Sequence, residues 1–131
     1  MKNNYVLAIV VGVIVLAANQ VLNALLGIIL PALKTEYAAS VFKSGSGPLN
    51  FLVFLYLIAD GVLLTYLWLK TRKSWKNGID FGVTVGLLMA IPLFIVNYST
   101  FTFSMLLVGT WSFFYFVNVL VAGLALERLE G

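Results

Sequence analysis

The chain has 131 residues, of which 62% are hydrophobic and only 10% are charged. A soluble domain carries about 25% charged residues, so this chain lacks the polar groups to cover a water-facing surface, and lipid is the medium that fits it. The net charge of +3 is gathered largely in one loop, which leaves no basic face for nucleic acid. The absence of cysteine and histidine removes disulfides, thiolate chemistry and the usual zinc, haem and iron–sulfur ligands.

The placement of charge sets the organisation. No charged residue lies between Lys2 and Lys34, only Asp60 interrupts Ser44 to Leu69, and none occurs from Phe81 to Leu126. A spanning helix needs about 20 mostly apolar residues. The three stretches therefore hold one, one and two spans, and the expected fold is all-α: a polytopic membrane protein with four transmembrane helices in one bundle.

The first span is expected over 5–30. A cleaved leader is the rival reading, with Lys2 as its charged end and Ala17-Ala18 as its small-residue site. The apolar run continues past Gln20, which favours a span. Ala8 and Gly12 share a helical face with Asn19 and Asn23, and Gln20 lies beside them. After Pro31, Leu33, Tyr37 and Val41 recur every four residues among Lys34, Glu36 and Lys43. That pattern predicts a short amphipathic interfacial helix over 32–42, followed by a flexible break at 44–48.

The second span is expected over 49–69. The basic loop 70–78 carries Lys70, Arg72, Lys73 and Lys76, a topology signal and a contact for anionic headgroups. Trp68 and Trp75 are expected as anchors at the membrane interface. The third span, over 79–96, contains Pro92, which is expected to kink it and free a carbonyl near Leu88. Gly78, Gly82, Gly86 and Ala90 fall four apart and form a smooth ridge for close helix packing, within the chain or against another subunit. Residues 97–104 are expected to form an uncharged, hydroxyl-rich turn. The fourth span is expected over 105–126, with Trp111, Tyr115, Asn118 and Ala122 on one face and a short charged tail after it.

With four spans, Lys2, Lys70, Arg72, Lys73, Lys76 and Arg128 share one side, and Lys34 and Lys43 lie on the other. The positive-inside rule then puts both termini in the cytoplasm.

Asp60 is the residue that asks for a chemical explanation. It lies near the middle of its span, where a charge costs at least about 2.5–3.5 kcal/mol, and no Lys or Arg sits at its depth. Either it is neutral and bonds to Tyr56, one turn away, or to amides on neighbouring helices; or it faces a wet cavity or binds a cation. Asn19, Gln20, Asn23 and Asn118 are the candidate partners, and with Asp60 and Tyr56 they make up an intramembrane polar cluster. One lone carboxylate with several amides is a thin catalytic set. No cofactor and no metal site is expected.

The second half, from Gly78, Gly82 and Gly86 through Tyr98 and Thr100 to Ala122-Gly123-Leu124, resembles a group of small, uncharacterised four-span membrane proteins of bacteria and archaea. The resemblance implies a prokaryotic inner-membrane protein and carries no activity with it. The leading expectation is a non-enzymatic membrane protein that works by assembly, as an accessory or structural subunit whose partners are lipids and a homo-oligomer or other membrane subunits. The alternative is a small proton- or cation-linked transporter or channel that uses Asp60.

Overall fold

A computed structural model describes residues 3–29, 51–100 and 105–130. They form α1 (Asn4–Ile29), α2 (Phe51–Lys70), a single 3-10 turn (Arg72–Ser74), α3 (Gly78–Thr100) and α4 (Met105–Glu130). The described residues contain no strand. Three helices, α1, α3 and α4, are long and apolar enough to cross a membrane. The described residues are thus all-α, with the helical composition of a membrane protein. The amphipathic helix expected over 32–42 and the break at 44–48 lie outside the described residues.

The helix starts are capped by local chemistry. The Asn3 side-chain oxygen accepts the N–H groups of Tyr5 at 2.9 Å and Val6 at 3.3 Å, which satisfies donors that the first turn of α1 leaves open. At α3, Asn77 accepts the Asp80 N–H at 2.8 Å and Asp80 reaches back to the Lys76 N–H at 3.2 Å. Glu127, from the far end of α4, accepts the Gly78 N–H at 2.9 Å. Two carboxylates therefore meet the positive end of the α3 dipole.

Two helices run further than their sequences suggest. α3 continues through Asn97 to Thr100, where a turn was expected. The Ser99 hydroxyl donates to the Ile95 carbonyl at 2.6 Å, so a residue that starts turns in water is satisfied by its own helix here. Pro92 lies inside this helix, as the third span was expected to hold it. α4 continues through the charged tail to Glu130, because both tail glutamates find partners across the bundle.

Packing turns on glycine at close approaches, and no described glycine has a positive φ. α3 lies antiparallel along α4. A Cβ on Gly82 would sit 2.8 Å from the Leu120 Cα, and one on Gly86 would sit 2.8 Å from the Phe116 ring. A Cβ on Gly78 would strike the Gly123 carbonyl. The Gly78–Gly82–Gly86–Ala90 ridge is therefore buried against α4 of the same chain. α1 crosses α2 at a second such point: a Cβ on Gly12 would sit 2.8 Å from the Ile58 carbonyl oxygen, and one on Gly61 would run into the Gly12 backbone. α4 touches all three other helices, and α3 packs chiefly on α4.

One end of the bundle is closed. Leu7 and Val11 of α1, Leu64 and Trp68 of α2, Phe81 of α3 and Leu126 of α4 join one buried cluster. Trp68 is 0% exposed, so it belongs to the interior and is not the interface anchor expected; its ring meets Phe81 edge-on at 5.3 Å. Trp75 is half-buried and packs on the same Phe81, also at 5.3 Å. An aromatic at a helix end faces inward when three helix termini converge around it, a context that linear sequence does not display.

Candidate functional site

Away from the closed end the helices leave space between them. Asp60 stands at the boundary. It is 8% exposed, carried inward because its neighbour Gly61 lets α1 and α2 touch backbone to backbone. The Tyr115 hydroxyl of α4 donates to Asp60 Oδ1 at 3.2 Å. Asp60 Oδ2 is buried with no hydrogen-bond partner among the described residues. Tyr56 does not take the role expected of it as the bonding partner. Its ring instead stacks on Tyr115, with centroids 6.3 Å apart and planes 30° from parallel. A tyrosine reaching across from a facing helix meets the carboxyl head-on, whereas one a turn earlier on the same helix runs alongside it.

The amides expected around Asp60 pair with each other. Asn118 Nδ2 donates to Asn19 Oδ1 at 3.0 Å, tying α4 to α1. Asn118 Oδ1 is buried with no partner among the described residues. Two buried oxygens with acceptor capacity to spare, one on a carboxyl and one on an amide, thus lie beside the same tyrosine helix. An acceptor left unpaired in the interior costs roughly 1–3 kcal/mol, and such groups in a folded protein call for a specific reason.

Tyr115 also forms part of the wall of a cavity of about 500 Å³ that Asn19, Asn23, Tyr56, Leu93, Asn97, Trp111, Phe114 and Asn118 complete. No charged residue is among these. Of the polar cluster expected from sequence, Tyr56, Asn19, Asn23 and Asn118 line this cavity, and Asp60 sits one side chain behind its wall. Gln20 is exposed on the outer side of α1 and lines no part of it. Sequence reasoning did not single out Asn97, hidden in the expected turn, or Gly61, overshadowed by the acid beside it. It placed Trp111, Tyr115 and Asn118 on one face, and that shared face was the available signal for Tyr115.

The aromatic run of α4 divides between two spaces. Trp111, Phe114 and Tyr115 face the amide-lined cavity; Phe113 and Phe116 face an apolar groove of about 330 Å³ between α3 and α4, beside Leu87 and Phe94.

The basic loop is held by the tail. Arg72 Nε meets Glu130 Oε1 at 3.1 Å, and its guanidinium lies over the Trp68 ring, 4.8 Å from the centroid. The Trp68 indole N–H donates to the other oxygen of Glu130. Lys70 lies over Tyr66 at 5.5 Å, and Lys73 and Lys76 are exposed. Among the described residues no three His, Cys, Asp or Glu side chains group as metal ligands. Comparison with protein-family models, curated proteins and solved structures gives no match.

Proposed function

We propose that this chain is a non-enzymatic inner-membrane protein with four spans, α2 being the fourth, and with both termini in the cytoplasm. Its work is to bind and pass a proton or a cation at Asp60. The observation that carries this reading is a buried carboxyl oxygen, Asp60 Oδ2, without a partner among the described residues, on a side chain that Tyr115 links to the wall of a cavity; the described residues lining that cavity include no Lys or Arg and do include Asn118, whose Oδ1 is likewise unpaired. A proton or a cation is the ligand such a site lacks and the one it attracts. The orientation is supported by Arg72, Lys73 and Lys76 lying with the α4 tail at the closed end, the cytoplasmic side by the positive-inside rule. Purified protein in liposomes should conduct protons or a monovalent cation, and Asp60→Asn should abolish that flux. Equal flux in wild type and variant removes Asp60 from the mechanism.

Assembly stands as the second reading, through a different surface from the one the glycine spacing suggests, since α4 covers the ridge. Gln20 is exposed among Val21, Leu25 and Ile28 on an outer face of α1, and an amide turned to lipid gains from a neighbouring helix. If this face binds a second subunit, Gln20→Leu should shift the detergent-solubilised complex to a smaller size, while Asp60→Asn leaves it intact.

A further inference from the structure

We propose that the cavity takes a bulky, lipophilic organic monocation, held by aromatic rings and by the charge of Asp60. This rests on the reading of Asp60 as a cation site and names the class of cation. Three observations on the cavity carry it. Its volume of about 500 Å³ suits a drug-sized molecule and far exceeds a bare metal ion. Hard cations need six to eight oxygens close together, whereas Asn19 and Asn118 are already bonded to each other. Four rings, those of Tyr56, Trp111, Phe114 and Tyr115, stand in its wall, and ring faces attract cations with little hydration.

Tyr115 couples the wall to the charge. Tyr115 lines the cavity, and its hydroxyl donates to Asp60 Oδ1 at 3.2 Å, which makes its ring more electron-rich. The carboxylate acts through one side chain in surroundings of low dielectric, where a counter-charge is felt strongly. A neutral ligand would leave the charge of Asp60 uncompensated. An anion would meet the field of that carboxylate, and the described residues that line the cavity include no Lys or Arg.

The test uses the intact chain in detergent, with tetraphenylphosphonium as the probe and tetraphenylborate as an anion of nearly the same shape. Wild type should bind the phosphonium saturably at one site per chain and show no saturable binding of the borate. Trp111→Leu and Asp60→Asn should each weaken phosphonium binding about tenfold. Equal binding of the two ions overturns the proposal, and that comparison needs no variant to fold. So does wild-type affinity in both variants, each with an unchanged elution profile. Failure of the phosphonium to bind while Asp60-dependent proton flux persists overturns the organic cation alone; loss of both overturns the proton and cation reading as well.

Discussion

The two halves of this bundle spend their residues differently. At the closed end, glycine brings backbones together and the gaps are filled: Trp68, Phe81 and Leu126 are fully buried, and the tail glutamates reach across to Arg72 and to the α3 amino terminus. In the other half, asparagines and tyrosines border a cavity of about 500 Å³, and oxygens there go without partners. In lipid, apolar burial does not draw helices together, and close packing and hydrogen bonds must do so. The closed end supplies that cohesion, which leaves the open half able to carry polar groups that stabilise little. The lesson is a division of labour along the helix axis, with Gly61 and Asp60 as adjacent residues on either side of the divide.

The largest effect should separate the halves outright. Gly82→Leu must push against the Leu120 backbone, so it should cost about 3 kcal/mol, read as a lower unfolding temperature in detergent. Gly109 is the contrasting site: an added Cβ meets only the Phe94 ring, at 3.8 Å. There Gly109→Ala should stabilise by up to about 1 kcal/mol through helix propensity. If the two changes cost the same, the halves do not differ in packing.

Tyr115→Phe sharpens the boundary. It removes the hydroxyl from Asp60 and should cost about 1–2 kcal/mol, with cation flux reduced. Unchanged flux and unchanged stability together would mean that the tyrosine is only wall. Asn118→Leu is expected to be milder still, about 0.6 kcal/mol, the average for an interhelical hydrogen bond. The unpaired Oδ1 vanishes with the side chain and offsets part of the loss. The smallest effect belongs to Glu130→Gln, whose partner Arg72 is half exposed. It should cost about 0.3 kcal/mol and become undetectable in high salt; a salt-independent loss would point to the Trp68 indole bond instead.

Much of the fold was legible because charge is so sparse. The gaps around Lys34, around Asp60 and between Phe81 and Leu126 leave few places for helices to begin and end. The glycine ridge was legible as a packing face from its fourfold spacing, but its partner was not: a ridge states that a backbone can come close and not which one. Helix ends were misjudged where water-based signals were applied. Ser99 and the charged tail read as turn and loose end, yet each is satisfied within the fold, by the Ile95 carbonyl and by cross-bundle contacts. Of the site, Asp60 was conspicuous as the lone acid in a long apolar stretch, and its neighbours on α1 and α4 were recoverable as amides on apolar helices. That Tyr115 rather than Tyr56 holds the carboxyl depends on how α2 and α4 are rotated, and residue spacing along one helix carries no information about another.

Carbodiimide labelling of protein in native membranes tests the central claim most directly, because an apolar carbodiimide modifies carboxyl groups that are protonated and reachable from the membrane interior. Of the five acidic residues, Asp60 should be the one modified when no cation is bound, more slowly when a cation takes the place of its proton, and flux should fall in step with labelling. An intact protein in which Asp60 stays unmodified, or in which its modification leaves flux untouched, would contradict the account.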